Sequence, residues 1–146
     1  MSETNADLMQ GLADAFNARE WDRVTEFVTE DLEFEDVAAG VSLTGLDAFV
    51  GYAQSWASAF PDMTIETRSV VGDETHMAGE FKGGGTHDGT LQTPDGDIPA
   101  TGRRFDERFV WYCEVADGKL SAVRDYYNVM SLMTQLGLIP EPAAAS

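Results

Sequence analysis

The sequence predicts an α+β domain in which about three N-terminal helices pack on one face of a curved, mixed or antiparallel sheet. Apolar residues recur at helical spacing over roughly the first 60 residues, and the pattern changes to strands from residue 63 onward. Helices followed by a run of strands are typical of this class. Glycines at 79, 83, 84 and 85 indicate bulges and bends in strongly curved strands. The length of 146 residues suits one domain over residues 1–146, with a frayed tail at 137–146.

Three helices are predicted ahead of the strands. The first covers residues 4–19, and a short second helix follows over residues 21–28. Thr44 is expected to cap the third helix, with Asp47 at its third helical position. The apolar stripe of this helix continues to Pro61, so the helix is expected to cover the sheet. The residues of the stripe are Leu46, Phe49, Val50, Ala53, Trp56, Ala57 and Phe60.

The first predicted strand covers residues 31–37, where acidic and apolar residues alternate. Its apolar positions are Leu32, Phe34 and Val37, the last lying one step out of phase beyond Asp36. Further strands are predicted at residues 63–71, 75–81 and 86–91, and residues 94–102 are predicted to form a loop. The alternation indicates strands that are half buried, with one face against the core.

A long hairpin and a closing helix are predicted over residues 105–137. Asp117 and Gly118 separate two β-rich runs, and Asp-Gly is a strong hairpin signal because both central positions adopt positive φ; the hairpin is expected to fold about Gly118. The expected pairs across the turn are Phe109 with Tyr127, Trp111 with Asp125, Cys113 with Val123 and Val115 with Ser121. The resulting face is apolar except for two hydroxyls and the carboxylate of Asp125. A slip of one residue would break this pairing.

The composition excludes several kinds of partner. Nine Lys and Arg against 26 Asp and Glu give a formal net charge of −17, which argues against nucleic acid and anionic membranes as partners. A single cysteine, Cys113, rules out an intramolecular disulfide and is expected to be a small core residue. The polar, acidic N-terminus differs from a signal peptide, and no apolar run is long enough to span a membrane. We therefore expect a cytoplasmic protein.

Several motifs in the second half of the chain resemble the SnoaL-like polyketide cyclase family, within the nuclear-transport-factor-2-like superfamily. They are Gly-Thr-His-Asp-Gly at 85–89, Ile-Pro-Ala-Thr-Gly-Arg at 98–103, Asp-Gly-Lys-Leu at 117–120, Arg-Asp-Tyr-Tyr-Asn at 124–128 and Gln-Leu-Gly at 135–137. The resemblance implies a cone-shaped α+β barrel, commonly dimeric, with an apolar pocket. It also implies a cofactor-free enzyme that closes a ring by intramolecular aldol condensation, with an aspartate as acid/base.

Asp125 is the candidate for that acid/base, because burial among aromatic side chains raises the pKa of a carboxyl toward neutrality. Many relatives carry an aspartate at the position of Asn128, where this chain has an amide without acid/base capacity. The facing of the predicted hairpin favours Asp125, since Asn128 falls on the opposite side of its strand. The alternative for Asp125 is a structural ion pair with Arg124, Arg108 or Arg103.

His87 is a second catalytic candidate, on a strand of the same sheet, with a structural histidine as the alternative. The expected substrate-binding residues are Arg103, Trp111, Tyr127, Phe109, Trp56 and Asn128. No metal is expected, because His76 and His87 lack ligand spacing and a third ligand. The sequence thus favours an enzyme that acts on an apolar, carbonyl-bearing small molecule, and the resemblance implies that it is a homodimer. A non-catalytic binding or interaction module, an isomerase and an epoxide hydrolase remain alternatives on the same fold.

Overall fold

The computed structural model describes residues 2–140, with side chains from residue 5 onward. The predicted frayed tail therefore lies mostly outside the described residues. The helices are α1 (Ser2–Ala18), a 3₁₀ helix (Trp21–Glu26), α2 (Leu46–Ala59) and α3 (Val129–Gln135). The strands are β1 (Val28–Asp36), β2 (Val41–Thr44), β3 (Thr64–Gly72), β4 (His76–Thr86), β5 (Leu91–Thr93), β6 (Gly96–Ile98), β7 (Arg104–Ala116) and β8 (Lys119–Tyr127). The predicted α+β class is confirmed.

Six strands form one mixed sheet in the order β2-β1-β8-β7-β4-β3, and β5 and β6 form a separate two-stranded hairpin. All neighbours in the large sheet are antiparallel except β1 and β8, which run parallel. One face of the sheet is covered by α1 and α2, and the core lies between these layers. The core includes Met9, Leu32, Phe81, Cys113 and Leu120, each without accessible surface. The expectation of a buried Cys113 is confirmed. No helix among residues 2–140 is both long and apolar enough to cross a membrane.

The hairpin of β7 and β8 is confirmed, with one correction to its register. The turn residues Asp117 and Gly118 both have positive φ, 54° and 74°. The pairs Phe109–Tyr127, Trp111–Asp125 and Cys113–Val123 are as predicted, but Val115 pairs with Leu120 and not with Ser121. Ser121 is left over as a bulge, and this extra residue shifts the rest of β8 by one position.

That bulge decides which charged residue faces the core. A two-residue turn without a bulge would place Arg124 opposite Trp111, because the pairs Ala116–Lys119 and Val115–Leu120 set that register. With the bulge, Asp125 takes the position opposite Trp111, and Arg124 lies on the outer face of the sheet. There Arg124 contacts Glu114 at 3.3 Å, and its guanidinium stacks on Tyr112. The predicted facing is therefore correct, although the turn alone would not have produced it.

The glycine-rich run lies inside a regular strand, which corrects the predicted bulges. β4 continues from His76 to Thr86 and pairs with β7 without a register break. The irregularity of this sheet region lies in β3, between Thr67 and Ser69. Gly85 instead permits close packing, because a Cβ there would lie 3.1 Å from the Cβ of Phe60, at the end of α2.

Three further local predictions are corrected. Thr44 ends β2 and does not cap α2; the residue at the N-cap is Gly45, with a φ of 101° and no side-chain cap. The strand β2 itself was not predicted. Only Thr86 of the predicted strand 86–91 belongs to β4, residues 87–90 leave the sheet, and the predicted loop at 94–102 contains β6. These short segments carry too few apolar positions for a period of two to be recognised.

Candidate functional site

A cavity lies between the inner face of the sheet and helix α2, with α3 at one end. Its atom-free volume is about 740 Å³, counted out to the open mouth. The wall is formed by Phe16, Phe34, Phe49, Tyr52, Ala53, Trp56, Met63, Ile65, Phe105, Glu107, Phe109, Trp111, Asp125, Tyr127 and Leu132. Nine of these fifteen side chains are aromatic, so the wall is apolar with a few polar groups. Such a surface suits a planar, largely apolar small molecule.

Asp125 is a partly exposed residue of this wall, and it carries one of the wall's two carboxyls. It lies on β8 opposite Trp111, and its Oδ1 is enclosed without a hydrogen-bond partner among the described residues. Burial raises the pKa of Asp125 well above its ordinary value, and the nearby charge of Asp36 raises it further. The arginine next to it in sequence, Arg124, pairs with Glu114 on the other face. The carboxyl is therefore protonated over a pH range in which an exposed aspartate is ionised.

Asp36 is a second carboxylate beside Asp125, and it has no accessible surface. The hydroxyl of Tyr52 donates to Asp36 Oδ2 at 2.6 Å, and the hydroxyl of Tyr127 donates to the same oxygen at 3.0 Å. The backbone N–H of Ala39 donates to Oδ1 at 2.9 Å. Burial, with the neighbouring Asp36, raises the pKa of both tyrosines, so the phenols keep their protons at neutral pH.

Asp36 was not predicted as a site residue, although the alternation of buried residues along β1 indicates its inward position. Leu32 and Phe34 are buried at alternate positions of β1, and Asp36 follows at the next inward position. Continuing the period of two by one step would have placed Asp36 inside. We instead assigned the inward position to Val37, which is 37% exposed. Tyr52 was missed as well, since it lies beside the apolar stripe of α2.

Four of the predicted binding residues lie in the cavity wall with Asp125: Trp56, Phe109, Trp111 and Tyr127. The ring of Trp56 packs edge-on against Tyr127, with centroids 6.2 Å apart. Phe109 and Trp111 are neighbours at 5.9 Å on β7. The covering helix α2 supplies Trp56, which belongs to its predicted apolar stripe, and Tyr52, which does not.

The other three predicted site residues do not reach the cavity wall. His87 follows the end of β4 and is fully buried, with Nδ1 3.0 Å from the hydroxyl of Thr101 and its ring against Phe60. Burial lowers its pKa, so it is neutral at pH 7. Arg103 is exposed and lies against Gly137.

Asn128 is the N-cap of α3, and its Oδ1 accepts a hydrogen bond from the N–H of Ser131 at 2.9 Å. Its side chain therefore satisfies the end of a helix. A role for Asn128, Arg103 or His87 in binding or catalysis stays a prediction that would require the site to extend beyond this wall.

The charge of the cavity is negative or neutral, not positive. Its two ionisable carboxyls are Asp125 and Glu107, and no Lys, Arg or His belongs to the wall as formed by the described residues. Glu107 accepts a hydrogen bond from Gln135 Nε2 at 2.9 Å, which links the wall to α3. Residues 5–140 contain no group of three His, Cys, Asp or Glu side chains arranged to hold a metal ion. The wall therefore offers proton transfer and apolar binding.

A curved sheet covered by helices, with an aromatic cavity and a buried carboxyl, defines a small α+β protein of the nuclear-transport-factor-2-like class. The profile of the SnoaL-like polyketide cyclases matches residues 6–136. The chain therefore belongs to the SnoaL-like polyketide cyclase family, as its motifs predicted.

Individual relatives agree with this assignment. The chain is 29% identical over 139 residues to the aklanonic acid methyl ester cyclase DnrD of Streptomyces peucetius. The aligned region covers 92% of this chain and 91% of DnrD. The structure of TsrD from Streptomyces laurentii superposes with a TM-score of 0.81 at 20% identity, covering 94% of this chain and 97% of TsrD. The structure of an LEH-like epoxide hydrolase of M. tuberculosis superposes with a TM-score of 0.70 at 16% identity. The match covers 92% of this chain and 90% of the hydrolase chain. At these identities the solved structures establish the shared fold alone.

Proposed function

We propose that this protein is a cofactor-independent cyclase that acts on an ester of an apolar polyketide, with Asp125 as the acid/base. The observation that carries the proposal is the carboxyl of Asp125 on an aromatic cavity wall whose described residues include no cation. A general acid needs a pKa near the working pH, and burial moves a carboxyl in that direction. The similarity to an aklanonic acid methyl ester cyclase supports the substrate class.

In the proposed reaction, an enol carbon of the substrate attacks a carbonyl carbon of the same molecule. As the carbon–carbon bond forms, the carbonyl oxygen takes the proton of Asp125. The enol hydroxyl, which becomes a carbonyl, then returns a proton to the Asp125 carboxylate. The product is an isomer of the substrate, and the enzyme ends in its starting state without a co-reactant.

The aromatic wall supports this chemistry by positioning and by excluding water. Trp56, Phe109, Trp111 and Tyr127 present ring faces and edges to a planar substrate. Binding holds the two reacting carbons in contact, so the substrate has already lost its conformational freedom before the bond forms. This loss then no longer adds to the activation barrier. Exclusion of water also strengthens the hydrogen bond from Asp125 to the carbonyl oxygen.

The test is an assay with aklanonic acid methyl ester and related polyketide methyl esters. We expect the purified protein to convert at least one of them to a product of unchanged mass and new retention time. Asp125→Asn should reduce the rate by about 10²-fold or more, the range typical of a lost general acid/base. Glu74→Gln is the matched control, since Glu74 is an exposed carboxylate in the turn between β3 and β4, away from the cavity wall. Equal turnover by Asp125→Asn and the native chain would remove Asp125 from the mechanism.

We also propose a homodimer formed through the outer face of the sheet. Val110 and Tyr126 are paired across β7 and β8 and remain 36% and 42% exposed. The same face carries Lys82 beside Arg108 on the central strands, and Glu33 and Glu35 toward the β1 edge. A two-fold axis would bring these opposite charges of two copies together. Light scattering should give twice the chain mass, and Val110→Lys should give a monomer; a native monomer would contradict the proposal.

A further inference from the structure

Asp36 and Asp125 form a pair of neighbouring carboxyls. β1 and β8 run parallel, with Asp36 in register with Asp125, and the N–H of Val37 donates to the Asp125 carbonyl at 2.9 Å. Residues in register on neighbouring strands project to the same face. Two carboxyls held together in a dry environment do not both ionise at neutral pH, because the second charge would repel the first.

The hydrogen bonds decide which carboxyl carries the charge. Asp36 accepts from Tyr52, Tyr127 and the backbone of Ala39, whereas the enclosed Oδ1 of Asp125 has no donor among the described residues. Donors stabilise the ionised form of a carboxyl. The charge therefore lies on Asp36, which is sealed from the cavity, and the proton lies on Asp125, which lines it.

The same hydrogen bonds fix what the two tyrosines can offer to a ligand. A phenol has one hydrogen, and in Tyr52 and Tyr127 that hydrogen is used by Asp36. Both hydroxyls can then only accept hydrogen bonds from a ligand. Glu107, the remaining ionisable group of the wall, is an acceptor toward Gln135. Among the ionisable side chains of this wall, a substrate carbonyl oxygen therefore finds its proton donor at Asp125.

We propose that Asp36 is a positioning residue of this site: its carboxylate, held by Tyr52 and Tyr127, keeps the proton on Asp125 and turns both tyrosine hydroxyls into acceptors. Asp36 does not touch the substrate and acts through these three side chains. The consequence for catalysis rests on the proposed role of Asp125. The location of the proton does not, and it can be measured in the protein without substrate.

Among residues 5–140, the groups around Asp125 on the inner face include no compensating cation. Facing it are Asp36 on β1, Tyr52 on α2, Tyr127 on its own strand, and Cys113 and Glu107 on β7. The nearest cation along the chain, Arg124, points to the outer face toward Glu114. Replacing Asp36 by a neutral residue therefore removes the principal charge that opposes ionisation of Asp125.

The experiment is a pH titration of the side-chain carboxyls by ¹³C NMR in aspartate-labelled protein, with the Asp125 signal assigned from Asp125→Asn. In the native chain the Asp125 signal should be that of the acid at pH 7. In Asp36→Asn its midpoint should fall by about one pH unit or more, which is a tenfold change in proton occupancy. An unchanged midpoint in Asp36→Asn would overturn the proposal, because burial alone would then hold the proton. Glu35→Gln, next in sequence but exposed on the outer face, should leave the midpoint unchanged.

A second variant covers the case in which Asp36→Asn does not fold. Tyr52→Phe removes the 2.6 Å hydrogen bond and keeps the ring, so the charge is held less firmly on Asp36. The Asp125 midpoint should again fall, and an unchanged midpoint would count against the proposal. If an active substrate is found, the pH–rate profile should shift in the same direction as the NMR midpoint. Shifted NMR midpoints without any turnover would refute the proposed function and leave the carboxyl pair intact.

Discussion

Replacing Asp125 by asparagine should change how the stability of the protein depends on pH. The folded protein keeps a proton on Asp125, because burial and the charge of Asp36 raise its pKa. In the unfolded chain an aspartate releases that proton above a pH of about 4. Rising pH therefore favours the unfolded state, until Asp125 ionises within the fold. Asparagine lacks this titration and has nearly the same shape.

The magnitude follows from one proton. The native chain should lose about 1.4 kcal/mol of unfolding free energy per pH unit relative to Asp125→Asn, in the window above a pH of about 4 where the folded carboxyl remains protonated. Between pH 5 and pH 7 the difference between the two curves should thus change by up to about 2.7 kcal/mol, in favour of the variant. Other titrating groups are common to both chains, so their contributions cancel to first order.

Urea unfolding followed by circular dichroism at several pH values measures this difference. Glu74→Gln provides the baseline, since an exposed carboxylate in a turn should give a difference within about 0.5 kcal/mol at all pH values. If the native and Asp125→Asn curves ran parallel from pH 5 to pH 7, Asp125 would titrate like an exposed aspartate. Both the protonated carboxyl and the carboxyl pair would then be refuted.

Three further predictions concern the fold around the site. Gly89→Ala should destabilise the protein by about 1–3 kcal/mol in urea unfolding, because the added Cβ would overlap the backbone carbonyl of Ser58 in α2. Gly51→Ala, at a position of α2 with open space around it, should stabilise the protein by about 0.5–1 kcal/mol. Asn128→Asp should keep the stability of the native chain, and Asn128→Ala should lose about 1 kcal/mol with the cap; equal losses for both would contradict the capping role. Burial raises the pKa of Cys113 to about 12, so a disulfide reagent at pH 8 should modify the thiol only after unfolding, and rapid labelling of the native chain would disagree with its burial.

The sequence predicts the elements that have strong local signals. Asp117 and Gly118 predict a turn with positive φ, and the helical stripe around Trp56 predicts the cover of the sheet; both are confirmed. The facing of Asp125 was predicted correctly from a hairpin folded about Gly118, although the structure reaches it through a tighter turn and the bulge at Ser121. Local pattern is sufficient where a contact is made within a few tens of residues.

What could not be predicted depends on contacts between distant parts of the chain. Asp36 accepts a hydrogen bond from Tyr127, which lies 91 residues further along the chain. The contact depends on the parallel pairing of β1 with β8, which no turn motif in the sequence predicts. His87 and Asn128 carry residue types common in active sites, yet their partners are a threonine and a helix end. Side-chain type alone does not distinguish such structural hydrogen bonds from chemistry, because the same donors and acceptors serve both.

Because of the bulge at Ser121, the charge of the cavity depends on the number of residues between the turn and Asp125. From the turn to Asp125 the strand has one residue more than its pairing requires, and Ser121 absorbs it, with its hydroxyl 3.2 Å from the Glu114 carbonyl. Deleting that residue would leave the turn intact and would bring Arg124 to the place opposite Trp111. A reading-frame-preserving loss of one codon would thus exchange a carboxyl of the wall for a permanent cation. In this chain, an insertion or deletion in the hairpin would therefore change the charge that the cavity presents to a ligand.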